Sequence, residues 1–136
     1  MTATTSDRQS TSSDSLLRAA MRADAILGVL AGVVIVAGAG PLSSFTGIPK
    51  SVEYVLGAGF ILAGLAGLGL AGLRRVRPAG LGAVIANLAY TVAVVVVAVA
   101  DVFALTTAGI VFVIATGIYT LAAAELQYVG VRRIRA

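Results

Sequence analysis

The chain contains no cysteine, no histidine and no tryptophan. The first absence excludes disulfides, thiol nucleophiles and thiolate metal sites. The second removes the commonest metal ligand and the side chain that most often moves protons near neutral pH. Acidic residues are scarce too, six among 136, so a site of several converging oxygen ligands has little to draw on. Neither an enzymatic activity nor a cofactor or metal is expected. Charged residues make up 12% of the chain against 59% hydrophobic residues, a balance foreign to soluble domains.

What fills the chain instead is four apolar runs, roughly residues 25–40, 52–73, 79–100 and 104–129. Each is at or near the ~20 residues that cross ~30 Å of hydrocarbon as a helix. The expected fold is all-α: a four-helix transmembrane bundle made of two helical hairpins. Little chain is left for anything else. Residues 1–15 are Ser/Thr-rich with no large apolar residue beyond Met1, and read as a disordered tail. Residues 16–131 form the bundle, with spans at about 16–40, 52–73, 79–100 and 104–129, and 132–136 form a basic tail. A cleaved leader is the rival reading of Arg18, Arg22 and the run ending in Ala37-Gly38-Ala39-Gly40. That leader would be unusually long and would still leave three spans.

Nine of the ten basic residues fall on one side of the runs: Arg8, Arg18, Arg22, Arg74, Arg75, Arg77, Arg132, Arg133 and Arg135, against Lys50 alone on the other. In short loops and near span ends this is a strong positive-inside bias, and it predicts both termini in the cytoplasm of a bacterial plasma membrane. The isoelectric point near 10.1 is then explained by anionic lipid headgroups, not nucleic acid, with Arg74, Arg75, Arg77, Arg132, Arg133 and Arg135 as the headgroup contacts. Pro41 is expected to close span 1, Gly47-Ile48-Pro49 to turn the chain, and Pro78 to sit in the first turn of span 3. Gly72-Leu73-Arg74-Arg75-Val76-Arg77 and Gly130-Val131-Arg132-Arg133-Ile134-Arg135 end the two halves alike, the mark of a parallel repeat or of a shared basic stop.

Small residues recur at helical spacing. Gly59, Ala63, Gly67 and Ala71 form one ridge, Gly28 and Gly32 share a face with Asp24, and Ala79, Ala83, Asn87 and Thr91 make a third stripe. Such ridges let helix backbones approach where lipid gives no hydrophobic incentive. The glycine-rich GAGFILAG segment lacks lysine and lies within a span, so it is not a phosphate loop. The candidate polar cluster is Asp24, Asn87, Tyr90 and Glu125, with Thr116 and Thr120 nearby in span 4. Its plain alternative is structural: Asp24 and Glu125 pairing with rim arginines, and Asn87 fixing helix rotation. Asp101 reads as a solvated turn residue.

Arg22-Ala23-Asp24-Ala25, Gly47-Ile48-Pro49, Asn87 with Tyr90, and Leu126-Gln127-Tyr128-Val129-Gly130-Val131-Arg132-Arg133 together resemble small four-span integral membrane proteins of actinobacterial type. That resemblance covers most of residues 18–133 and implies a four-span bundle with no assigned activity. To small multidrug transporters the chain is similar in topology and length only. It lacks their mid-span Glu in span 1, their Trp motifs and their balanced charge. The expected role is a non-enzymatic accessory or scaffold subunit of a larger membrane assembly, such as a lipid transporter or respiratory complex. The alternative is a small oligomeric transporter or channel with a cytoplasm-facing Asp/Glu/Asn site. Partners are membrane lipids and a larger complex or further copies of the chain.

Overall fold

Residues 5–134 are described by the computed structural model, with side chains from residue 14 onward. They form five helices: α1 (Thr5–Ala37), α2 (Ala39–Thr46), α3 (Lys50–Ala71), α4 (Val76–Val99) and α5 (Thr107–Arg133). Four stretches are long and apolar enough to cross a membrane: Asp14–Ala37, Lys50–Ala71, Val76–Val99 and Thr107–Arg133. The protein is a multi-pass membrane protein with an all-α, four-helix bundle. The start of α1, the end of α5 and the α3–α4 link lie at one end, the arginine end; α2 and the α4–α5 link lie at the other, the loop end.

The boundaries depart from expectation in three places. Helix α1 begins at Thr5, inside the segment expected to be unordered, because extending a formed helix costs far less than nucleating one. Residues 1–4 lie outside the described residues. At its far end α1 stops at Ala37 with Gly38 in a turn, before Pro41, and the chain restarts as the unforeseen α2. Pro41 then occupies the first turn of α2, where its missing N–H costs nothing. Helix α5 runs through Arg133 into the expected tail, whose last residues, Arg135 and Ala136, are outside the described part. The two similar Arg-rich endings therefore differ. Gly72 ends α3 and Val76 opens α4, whereas Gly130 to Arg133 stay helical.

The most extensive helix pair is α1 with α3, followed by α4 with α5 and then α1 with α5; α3 and α4 touch only slightly. Antiparallel α1 and α3 meet almost backbone to backbone. A Cβ on Gly32 would stand 2.5 Å from the Gly57 carbonyl oxygen, and one on Gly64 would stand 2.6 Å from that of Ala25. The ridge expected on α3 is only partly the packed one. Ala71 is buried and Gly67 meets Ala25, but Gly59 and Ala63 are exposed and a Cβ on Gly59 would meet nothing. The buried positions Glu53, Gly57, Gly64 and Ala71 lie mostly seven apart, so the contact face follows a coiled-coil seam and not a strict four-residue step.

At the arginine end, Leu17 of α1 is fully buried between glycines of the other hairpin. A Cβ on Gly80 would lie 2.6 Å from a Leu17 methyl, and one on Gly130 would lie 2.9 Å from the Leu17 Cα. Met21, Ala71, Val76 and Val131 complete that cluster. Arg18 beside it caps α3: its Nη1 donates to the carbonyls of Ala71 (2.6 Å) and Leu73 (2.7 Å), and its Nη2 to that of Arg74 (3.3 Å). The Ala71 carbonyl is one that the helix end leaves unpaired, the other two lie in the link that follows, and a cation is favoured there. At the loop end, Gly47 adopts φ 82° and its Cβ would collide with the Ala104 carbonyl oxygen. The Thr46 carbonyl accepts from Thr106 N–H at 3.0 Å while Gly109 lies flat against it. The two hairpins are thus locked together at both ends.

Candidate functional site

The polar interior is built where α1, α4 and α5 converge. Asp24 receives three donors: Gln127 Nε2 at 2.9 Å and Asn87 Nδ2 at 3.0 Å on Oδ2, and the Tyr119 hydroxyl at 3.0 Å on Oδ1. Asn87 Nδ2 also reaches Gln127 Oε1 (3.0 Å) and the Ala83 carbonyl (3.2 Å), so two amide protons are shared among three acceptors. The carboxylate is held by neutral donors. Among the described residues no cation stands within ion-pair distance of it: Arg22, two residues away, is exposed, and Arg18 is committed to backbone carbonyls after α3 and to Asp14. The pairing of Asp24 with a rim arginine is therefore not what the structure shows.

Asp24 lies two residues beyond the exposed Arg22, where the apolar part of α1 begins, and its hydrogen bonds run inward to α4 and α5. Asn87 is at the centre of α4. The network is only partly enclosed, since Tyr119 remains 40% exposed on the outer surface of α5.

A second, hydroxyl layer lies one turn toward the loop end. Thr91 and Thr120 hydroxyls are 2.7 Å apart, and each also donates to, or lies within reach of, a backbone carbonyl: Thr91 to Asn87 O, Thr120 to Gly117 O. Tyr90 points away from Asp24. Its hydroxyl donates to Thr116 at 3.3 Å and its ring tilts against Phe60, 5.4 Å between centroids, bridging the sparse α3–α4 seam.

Of the four residues expected to cluster, the structure joins Asp24 and Asn87, sets Tyr90 in the next layer and leaves Glu125 exposed and outside the network. Gln127 takes the place expected for Glu125. The reason is helical phase: Gly117, Thr120, Ala124, Gln127 and Val131 follow a 3-4 spacing and are all buried, while Glu125 is two positions, or ~200°, away from Gln127. That spacing is present in the sequence and could have placed Gln127. Of the headgroup candidates, Arg74, Arg75, Arg132 and Arg133 are exposed, whereas Arg77 is half-buried with its Nε unpartnered among the described residues. Arg132 lies over the Tyr128 ring at 5.8 Å.

The fold and this interior define a small polytopic helical bundle with a carboxylate–amide knot where three of its helices meet. Compared with known proteins, the chain matches no protein family, no curated protein and no solved structure.

Proposed function

We propose that this protein is a non-enzymatic accessory or scaffold subunit, oriented with both termini in the bacterial cytoplasm and docked against a larger membrane assembly. The observation that carries this reading is an unused packing surface on α4. Gly82, Ala86, Ala89 and Ala93 recur at 4-3-4 spacing and all are exposed, and a Cβ on Gly82 would meet nothing. Only 11% of the most apolar stretch of α4 is buried. A smooth small-residue stripe is a poor lipid-facing surface and a good helix-facing one. Gly59 and Ala63 of α3 extend the same character across the neighbouring helix. The nine-to-one bias of basic residues supports the orientation and contact of the exposed arginines with anionic headgroups.

The test is gentle extraction of the tagged protein and identification of what co-purifies. A stoichiometric larger partner is expected, and Ala86→Leu with Ala93→Leu should release it while leaving the melting temperature of the isolated protein unchanged. Recovery of a homo-oligomer alone, insensitive to those substitutions, overturns the reading.

One observation favours a second reading, a small oligomeric transporter or channel: the hydrogen-bonded Asp24 inside the bundle, with no cation paired to it among the described residues. Ion flux in proteoliposomes that disappears in Asp24→Asn would support it.

A further inference from the structure

Glu53, in the first turn of α3, is fully buried and belongs to neither polar layer described above. Its Oε1 has one neighbour, the Thr46 hydroxyl at 3.1 Å. Its Oε2 is buried, and among the described residues no donor reaches it. The Thr46 oxygen is already busy: it accepts from the Ile48 N–H at 3.1 Å, and the Leu42 carbonyl lies 2.9 Å away as an acceptor for its single proton.

A count of protons decides between two arrangements. A bare carboxylate must compete with the Leu42 carbonyl for the one Thr46 proton, and its charge is enclosed without a cation. Lys50, on the same helix, is exposed and lies over the Tyr54 ring at 5.7 Å. From α4 the ionisable neighbour is Tyr90, within electrostatic range but donating to Thr116. Asp101 in the α4–α5 link is exposed, and neither Ala25–Ala37 of α1 nor Thr107–Ala124 of α5 holds a charged residue. If the carboxyl instead carries a proton on Oε1, that proton goes to Thr46 Oγ1 and the Thr46 proton goes to Leu42. Every donor then has an acceptor, and what stays unpaired is a neutral carbonyl oxygen instead of a charge, much the smaller penalty.

We propose that Glu53 is a proton-binding site within the membrane-embedded bundle, its carboxyl holding a proton against Thr46. This is independent of whether the protein docks on a partner or conducts a solute.

The test uses the full-length protein in lipid vesicles. In infrared difference spectra between wild type and Glu53→Gln, the carbonyl band of a protonated acid is expected to vanish with the substitution. Loss of a carboxylate band instead overturns the proposal. Glu53→Gln should fold normally, since its amide N–H replaces the acid proton toward Thr46. Should that variant fail to fold, wild-type protein reacted with dicyclohexylcarbodiimide gives the answer. The acid O–H adds across one C=N bond, the proton going to nitrogen and the oxygen to carbon, and acyl transfer then leaves a stable N-acylurea. Mass spectrometry is expected to find that adduct on Glu53. A protein modified elsewhere but not at Glu53 counts against it.

Discussion

Asn87 and Leu17 do different jobs with similar economy. Asn87 holds three helices through one amide, and interhelical hydrogen bonds of this kind contribute about 0.6–2 kcal/mol in a membrane. Asn87→Leu should lower stability by about that much, leaving Asp24 with only Gln127 and Tyr119 as donors. Thermal melting in detergent measures it. Leu17 is larger in effect. Fully buried and seated between Gly80 and Gly130, it should cost about 2–5 kcal/mol when cut to Ala, because the flanking backbones cannot close the cavity. Asp24 and Asn87 were legible as polar residues interrupting apolar runs. Gln127 was not, since its neighbour Glu125 carries the charge that draws attention, and only the phase of α5 separates them. Glu53 was harder still: a carboxylate one turn from Lys50 at a span edge looks like any rim charge, and its burial arises from α2, a helix that no apolar run announced.

Among the elements, α3 depends on a side chain it does not own. Arg18 of α1 satisfies the last carbonyl of α3 and those of the link that follows, so Arg18→Ala should destabilise that end by about 1–2 kcal/mol. Hydrogen exchange should speed up at the amides around residues 70–74 while those near Gly57 stay protected. A uniform increase along α3 would contradict the capping role. At the loop end, Gly109→Ala drives a methyl into the Thr46 carbonyl and should separate α5 from α2, seen as rapid exchange at Thr106 N–H, whose acceptor is that carbonyl. The four spans were readable from hydropathy because hydrocarbon sets their length. The ends of the helices were not, because Arg18 and the Thr46–Gly109 contact set them through partners distant in sequence.

For the whole molecule, the four-helix, two-hairpin plan follows from length and apolarity alone, but which faces meet does not. Small residues line both the packed seam of α1 with α3 and the exposed stripe of α4, and composition cannot tell them apart. The arrangement has a consequence for how the protein can be divided. Most intimate contact lies inside each hairpin, α1 on α3 and α4 on α5, while the α3–α4 link of Gly72 to Arg75 joins two helices that touch only slightly. The joints between hairpins, Leu17 among glycines and Thr46 under Gly109, are made by shape and do not require a continuous chain. Residues 1–75 and 76–136 expressed as two separate polypeptides should therefore find each other in the bilayer and co-purify as a pair. Carrying Gly130→Leu on the second piece should leave the two apart. The protein is, in effect, two interlocking parts that happen to share one gene.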